Sequence, residues 1–246
     1  MGARRITEPG RDAKLPPCVT CHHSEAGFCA AAFRSTAADP QQNRGQQEFT
    51  VVPARKQIVT QHSSSDQVFV LCAGWAFRYV QRADGARQIE RFLIPGDLFS
   101  SISIFEDASH FSAKALTDVQ ICGFPRSEIR EKCFADRGFH AVVAQSCVVD
   151  GRDAAKLIAV LGRSSAEQRI AYLFLHLTER IAARHVVRDR RYPLPLRHQH
   201  IADAVGLTTV HVSRVLSVFR ERGILTLSGG VLEVLDLRAL EVIGLR

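Results

Sequence analysis

The chain has 246 residues, of which 46% are hydrophobic and 23% charged, as in ordinary globular proteins. No apolar run approaches the roughly 18 residues that a membrane-spanning helix needs, and the polar N-terminus MGARRITEPGRDAKLPP does not resemble a signal peptide, so we expect no membrane association and a cytoplasmic location. The formal net charge is +7, and arginines crowd into the last quarter of the chain, as is typical of nucleic-acid-binding modules: Arg188, Arg190, Arg191, Arg197, Arg214, Arg220 and Arg222.

Residues 1–47 form a polar N-terminal segment that carries a cysteine cluster. Cys18, Cys21 and Cys29 lie there, with His22 and His23 beside them. The chain has seven cysteines, and an odd number in a reducing compartment argues against a disulfide framework. Metal binding or redox chemistry is therefore the first hypothesis for the cluster. We interpret Cys72, Cys133 and Cys147 as core or surface thiols.

Residues 48–135 read as short β-type runs separated by turns. VFVL (68–71) and WAFRYVQ (75–81) come first, Asp84-Gly85 predicts a hairpin turn before QIERFL (88–93), and Pro95-Gly96-Asp97 makes a corner before LFSSISIF (98–105). Many short strands with evenly spaced turns predict a small barrel or roll.

The pattern changes to a helical one after residue 126, and we assign 136–163 to one long helix. Apolar residues recur along it at Val142, Cys147, Val149, Leu157, Ile158 and Leu161. A helix between two domains cannot bury such a stripe alone, so the sequence predicts a homodimer seam. The alternative is that the helix packs entirely onto its own β-domain.

Residues 164–246 predict a DNA-binding module. Ser164 and Glu167 fit a capping box at the start of a helix. HQHIADAVGLTTVHVSRVLS (198–217) fits a helix-turn-helix, with Ala202 as the small contact residue and Gly206 at the turn. GILTL (223–227) and VLEVL (231–235) then predict a hairpin wing, and Asp236 caps a last helix.

The second helix of this motif is predicted to read DNA. Its outward residues are Thr208, Thr209, Val210, Ser213, Arg214 and Ser217. Arg214 can donate two hydrogen bonds to guanine, and Val210 can contact a thymine methyl group. Ser213 can reach a base edge or a phosphate.

The order of these modules resembles that of the Crp/Fnr family of bacterial regulators. GLTTVHVSRVLSVFRERGIL (206–225) is similar to the family's recognition helix, and PGDLFSSISIFED (95–107) resembles its effector-pocket segment. The resemblance implies an α+β fold with an N-terminal β-roll like the cyclic-nucleotide-binding jelly roll, a long dimerisation helix and a C-terminal winged helix-turn-helix.

Cyclic-nucleotide-binding members of the family use a glutamate and an arginine in the pocket. At those places this chain has Ser101 and Phe111. A cyclic phosphate would lose its hydration there without a cation to replace it. We therefore expect no cyclic AMP binding.

The oxygen-sensing Fnr subgroup holds an iron–sulfur cluster on three N-terminal cysteines and one internal cysteine. Cys18, Cys21 and Cys29, with Cys122 in ALTDVQICGFPRSE (115–128), match that pattern, so the resemblance implies a [4Fe–4S] cluster. Structural zinc and plain thiols remain alternatives. Val210 departs from the subgroup, which usually carries a cytosine-reading glutamate there.

The resemblance implies a transcription regulator that binds double-stranded DNA at a palindromic promoter site as a homodimer and contacts RNA polymerase, either activating or repressing. An alternative is a cluster-free regulator of the same family that responds to haem, nitric oxide or another effector. We do not expect an enzyme, because the sequence contains no Gly-x-Ser-x-Gly elbow, Walker loop or HExxH motif.

Overall fold

The structure is a computed structural model that describes residues 27–33, 47–184, 187 and 189–244. The chain divides into two compact units. The first consists of Met1–Gln81 and Phe92–Arg152, and the second of Arg82–Arg91 and Asp153–Arg246. The α+β class expected from the sequence is confirmed, with β-strands preceding a mainly helical C-terminal half.

Seven β-strands lie between residues 48 and 125 and form two sheets. Their bounds are β1 Glu48–Val52, β2 Gln57–Val59, β3 Gln67–Ala73, β4 Ala76–Gln81, β5 Arg87–Leu93, β6 Ser112–Ala115 and β7 Val119–Pro125. The strand orders are β1-β7-β3 and β2-β6-β4-β5. Strand β7 is central in the first sheet, where Cys122 pairs with Phe49 of β1 and Val70 of β3.

Apolar residues of both sheets form two buried clusters. One contains Leu71, Leu93, Phe99 and Phe111. The other contains Cys122 and extends to the helices described below. Each fully buried leucine or phenylalanine side chain contributes about 1.5–3 kcal/mol to the stability of the fold, because its apolar surface is removed from water.

The turn between β3 and β4 requires a glycine. Gly74 has a φ of +81°, and a Cβ atom there would lie 2.2 Å from the carbonyl oxygen of Asp118. Both the positive φ and the close approach exclude other residues. This explains why the two β-type runs are separated at this residue.

The run LFSSISIF does not continue as a strand. Its first part makes only an isolated bridge, between Leu98 and Val70, and Ile102–Ile104 form a 3₁₀ helix. Ser103 donates its hydroxyl hydrogen to the carbonyl of Ser100. Serine hydroxyls that bond to nearby backbone groups in this way compete with a strand ladder.

Three helices belong wholly or partly to the first unit: α1 Gly27–Phe33, α2 Arg126–Ala135 and α3 Arg137–Arg163. Asp136 separates α2 from α3 because its backbone is extended, and its carboxylate accepts hydrogen bonds from the N–H groups of Gly138 and Phe139, at 2.8 and 3.1 Å. It thus acts as the N-cap of α3.

Helix α3 turns most of its predicted stripe inward. Five of its six residues are half-buried, and Val142 packs against the cluster around Cys122; only Ile158 is largely exposed, at 71%. Five of the six residues are therefore partly covered by their own chain, and the predicted dimer seam stays a prediction. The first turns of α3 pack on their own unit through Phe139 and Val143, whereas the alternative interpretation required the whole helix to do so.

The second unit contains helices α4 Ala166–Ala182, α5 His198–Val205, α6 Thr209–Glu221 and α7 Leu237–Gly244, with strands β8 Arg191–Pro193, β9 Leu225–Ser228 and β10 Val231–Val234. The capping box of α4 lies one residue later than predicted, on Ser165 and Gln168. The shift arises because the N–H of Ser164 still bonds to Val160 in the last turn of α3.

No single helix in the described ranges is long and apolar enough to cross a membrane. Helices α5 and α6 reach the length and apolar composition of a membrane-spanning helix only when they are taken together, and the pair is bent by 104°.

Candidate nucleic-acid interface and cysteine site

Helices α5 and α6 meet at a sharp turn built on Gly206. This glycine has a φ of +63° and donates its N–H to the carbonyl of Ala202, which ends α5. The bend of 104° between the helices lies within the 90–120° of helix-turn-helix motifs. The predicted glycine and the predicted small residue therefore meet at the turn.

The inner faces of the two helices are apolar. Ile201, Val212 and Phe219 are fully buried, and Ala202 and Val205 are nearly so. This packing fixes the orientation of α6, so its outer face is a rigid surface. Rigid elements hold recognition side chains more accurately than loops do.

The outer face of α6 carries the residues predicted to read DNA. Thr208, Thr209, Val210, Ser213 and Arg214 are exposed, and Ser217 is half-buried one turn further on. Val210 is 57% exposed, so its methyl groups are accessible on this face. The structure thus brings five of the six residues to one side of α6, with Thr208 at its N-cap.

Thr208 is the N-cap of α6 and orients a further side chain. Its hydroxyl oxygen accepts from the N–H of His211 at 3.3 Å, and the same oxygen lies 3.1 Å from Nδ1 of the imidazole. His211 is exposed beside Val210 and was missed in the sequence. The signal was available, because an N-cap side chain bonds to the residue three positions on.

The wing is a three-stranded sheet with the order β8-β10-β9. Strands β9 and β10 match the predicted hairpin, whereas β8 was not predicted. Leu194 donates its N–H to the carbonyl of Gly230 at 2.7 Å, which ties β8 to the hairpin turn. Asp236 caps α7 as predicted, accepting from the N–H of Ala239 at 2.9 Å.

Arginines surround this module on its surface. Those exposed in the described part are Arg190, Arg191, Arg197, Arg214, Arg220, Arg222 and Arg238. Arg222 pairs with Glu167 at 3.4 Å, but both side chains are largely exposed, so the pair contributes little. A positive surface next to an exposed helix is what phosphate contacts need.

Two of the four predicted cluster ligands lie in one buried core. Cys29 on α1 and Cys122 on β7 are 8% and 1% exposed and belong to the same apolar cluster. Cys18 and Cys21, like His22 and His23, lie outside the described residues. Within the described residues, no group of three or more His, Cys, Asp and Glu side chains is arranged to hold a metal ion.

The remaining cysteines have the features of core or surface thiols. Cys133 is 2% exposed, and burial raises the pKa of its thiol, with Cys147 nearby adding to the shift. Its sulfur lies 3.8 Å from Nδ1 of His140. Cys72 and Cys147 are half-buried. A raised pKa disfavours the thiolate that metal binding and nucleophilic attack require.

The residues predicted to line the effector pocket contact other groups of the chain. Ser101 is fully buried and donates its hydroxyl hydrogen to Asp150 of α3 at 2.8 Å. The guanidinium of Arg78 lies 5.2 Å from the ring centre of Phe111 and donates to the carbonyl of Phe99. A cation is therefore present near Phe111, contrary to the sequence-based argument, but a carboxylate lies at Ser101.

Comparisons with known proteins give two family matches. A Crp-like helix-turn-helix domain matches residues 168–243, and a cyclic nucleotide-binding domain matches residues 49–136. The second match concerns the domain, and its description does not identify the ligand of this chain.

Several regulators are similar to the chain along most of its length. The nitrogen fixation regulation protein FixK of Rhizobium meliloti is 31% identical over 180 residues, covering 72% of this chain and 77% of that protein. The transcriptional activator protein FnrA of Stutzerimonas stutzeri is 24% identical over 179 residues, covering 73% of each. Among solved structures, FixK2 of Bradyrhizobium japonicum shares the fold with a TM-score of 0.74 at 24% identity, covering 80% of this chain and 97% of that one.

Proposed function

Because this chain belongs to the Crp/Fnr family of transcription regulators, we propose that it is a cytoplasmic, oxygen-responsive regulator whose Cys18, Cys21, Cys29 and Cys122 hold a [4Fe–4S] cluster. The observation that carries the sensing proposal is the burial of Cys29 and Cys122 in one core, although they are 93 residues apart in sequence. Several similar regulators are named as transcriptional activators, and we extend that role to this chain.

Recognition of DNA is assigned to the outer face of α6. Arg214 donates two parallel hydrogen bonds to a guanine, worth about 1–3 kcal/mol of discrimination against other bases. Val210 contacts a thymine methyl group, and Ser213 bonds to a base edge or a phosphate. Thr208, Thr209 and Ser217 flank these contacts. Two recognition helices in a homodimer then lie about 34–36 Å apart on a palindromic promoter site.

The dimer seam is assigned to a row of small and apolar residues on α3. Every residue of this row is exposed: Ala144, Val148, Gly151, Ala155, Ile158 and Gly162. Their spacing of four and three residues is the heptad spacing of a coiled coil. The glycines and alanines allow two helices to approach closely, and Val148 and Ile158, at 52% and 71% exposure, supply apolar surface to bury.

Two of the four cysteines support the proposed cluster, because β7 and α1 each contribute one thiol to the same core, Cys122 and Cys29. When bound, the cluster supplies an oxygen-labile tie between the N-terminal segment and β7. Residues of α1 pack in the same buried cluster as Cys122 and help to exclude water from it. Phe139 and Val143 pack the first turns of α3 against this cluster. If loss of the cluster released α1, the packing of α3 on this core would weaken, and the dimer and its contact with RNA polymerase at the promoter would be disfavoured.

The experiment is anaerobic purification of the full chain and of four variants, each with one of Cys18, Cys21, Cys29 and Cys122 replaced by serine. We expect a brown protein with about four iron and four sulfide per chain, and little of either in the variants. Cys147→Ser is the matched control and retains both. Operator binding is compared before and after exposure to air.

Three outcomes contradict the sensing proposal. If a single-cysteine variant retains iron and its response to air, that cysteine is not a ligand. Zinc in place of iron identifies a structural site. A Soret band without sulfide identifies the haem-binding alternative. The recognition half of the proposal stands in each case, because it depends on α6 alone.

A further inference from the structure

Helix α1, which carries Cys29, is docked by an aromatic contact. Phe28 is 6% exposed, and its ring centre lies 5.8 Å from that of Phe124 in an edge-to-face arrangement and 5.6 Å from that of Phe139 in a tilted one. Both distances fall within the range of favourable aromatic pairs. One ring therefore contacts both a strand and a helix of the first unit.

The other end of α1 is held by a lysine. Lys132 of α2 donates from Nζ to the carbonyl of Ala32 at 2.5 Å, and the same ammonium lies 5.4 Å from the ring centre of Phe139. A cation at a helix C-terminus satisfies carbonyl groups that lack partners within the helix. Burial lowers the pKa of Lys132, which agrees with its position in the contact.

The two aromatic partners of Phe28 lie on the strand that carries Cys122 and at the start of α3. Phe124 lies two residues after Cys122 on β7, and Phe139 is the first buried residue of α3. Phe28, Phe124 and Phe139, which we call the aromatic clasp, therefore join the helix of Cys29, the strand of Cys122 and the base of α3. All of these contacts are made by protein side chains alone.

We propose that Phe28 is a positioning residue, which docks α1 on β7 and α3 through the aromatic clasp and holds Cys29 in the buried cluster that contains Cys122. The consequence for sensing depends on the proposed function, whereas the docking itself does not. Displacement of α1 is then communicated to α3 through Phe139.

The first test uses the metal-free full chain and measures the rate at which iodoacetamide alkylates Cys29, by mass spectrometry of the digested protein. Cys29 reacts through local opening of α1, so its rate reports the docking equilibrium. We expect Phe28→Ala to raise the rate at least about tenfold, since truncation of a buried phenylalanine removes most of its packing. Lys132→Met raises it by a smaller factor.

Two variants serve as controls. Phe134→Ala removes a phenylalanine of α2 that is 79% exposed, and it leaves the rate unchanged. Phe28→Leu keeps most of the apolar volume and restores slow alkylation to within about threefold of the parent rate. Far-ultraviolet circular dichroism establishes that each variant is folded. Equal alkylation rates in Phe28→Ala and the parent protein would overturn the proposal.

The second test uses the anaerobically loaded protein and follows the visible absorption of the cluster after a pulse of air. Phe28→Ala is expected to bleach faster than the parent and than Phe134→Ala, because Cys29 is held less firmly. Equal bleaching rates would remove the consequence for sensing. If the parent chain binds no iron, the proposed function fails, while the alkylation result still decides whether Phe28 docks α1.

Discussion

Val210 is an exposed aliphatic side chain at the position where α6 meets DNA in our proposal. It is 57% exposed between Thr209 and His211. Valine cannot accept a hydrogen bond from the amino group of cytosine, whereas glutamate can. We expect Val210→Glu to shift the half-site preference at one base pair toward C·G by about 1–3 kcal/mol. Binding to a library of operators, each with one base pair changed, measures this shift.

The control for this substitution keeps the shape of the side chain. Val210→Thr retains one methyl group and is expected to leave the base preference nearly unchanged. A glutamate variant whose profile matches that of the parent protein at every base pair would mean that residue 210 does not contact a base edge.

His176 lies in a half-buried charge network of the second unit. Desolvation lowers its pKa from 6.5 to about 4, with Arg180 adding to the shift, Asp153 opposing it, and Arg91 and Lys156 adding smaller contributions. Its Nε2 lies 3.7 Å from a carboxylate oxygen of Asp153, which also pairs with Arg91 at 3.2 Å. The folded state thus keeps this imidazole neutral where the unfolded chain protonates it.

The pKa of His176 predicts a loss of stability in acid. Between pH 6.5 and about 4 the unfolded chain binds a proton that the folded chain does not, so the free energy of unfolding falls as the pH falls. The full shift corresponds to about 3 kcal/mol. We expect His176→Gln to lose less stability than the parent between about pH 7 and pH 4.5, as measured by urea unfolding.

An exposed histidine provides the comparison for this measurement. His198→Gln changes a histidine at the exposed start of α5, and it should follow the pH dependence of the parent protein. If His176→Gln also follows the parent, the buried imidazole does not contribute to acid sensitivity.

At the scale of elements, the exposed row on α3 allows a direct test of the proposed dimer seam. Ile158→Glu places a carboxylate in the row, where it would face its own copy in a dimer. Like charges brought together at an interface cost several kcal/mol. We expect the dimer dissociation constant to rise by about a hundredfold or more, and operator affinity to fall with it. Analytical ultracentrifugation measures the dissociation constant.

Lys156→Glu introduces the same charge on the opposite side of α3. Lys156 is exposed and lies about 160° around the helix from Ile158. It is expected to leave the dimer intact. Equal effects of both substitutions would mean that charge in general, rather than the row, controls association.

The element boundaries show what the sequence could predict. The turn at Gly206, the hairpin of β9 and β10 and the cap on Asp236 follow local rules, and all three are confirmed. The capping box was assigned one residue early because both Ser164 and Ser165 precede a Glu or Gln at the right spacing. Only the end of α3 decides between them, and that end depends on tertiary packing.

The inner and outer faces of α3 could not be separated from periodicity. Bulky residues such as Val142 and Leu157 suggested the seam, but a helix that packs on its own unit buries its bulkiest side first. The row left exposed consists largely of alanine and glycine, which hydrophobicity patterns weight weakly. Strand β8 was not predicted because it has only three residues, and its extended conformation depends on pairing with β10.

At the scale of the whole molecule, the parts of the candidate site differ in how far the sequence could specify them. The reading face on α6 is contained in one continuous segment, so helical geometry was sufficient to group its residues. The cysteine site joins residues far apart in sequence, and only the fold brings Cys29 to Cys122. The aromatic clasp had no sequence signature, because isolated phenylalanines are common core residues.

In the proposed function, oxygen weakens the dimer and does not change the structure of α6. A tandem dimer tests this distinction. Two copies of the chain joined by a flexible linker hold each other at an effective concentration of the order of millimolar. Such a protein dimerises even when the seat of α3 is loosened. We therefore expect air to weaken operator binding by the single chain and to have little effect on the tandem dimer.

The base preference supplies an independent check of the same step. Because the outer face of α6 is fixed by its own buried side, the operator profile of the single chain in air should match the anaerobic profile, shifted only to higher protein concentration. Raising the protein concentration should restore binding. If the tandem dimer also releases DNA in air, oxygen must act on the recognition module itself, and the row on α3 would no longer be the controlled element.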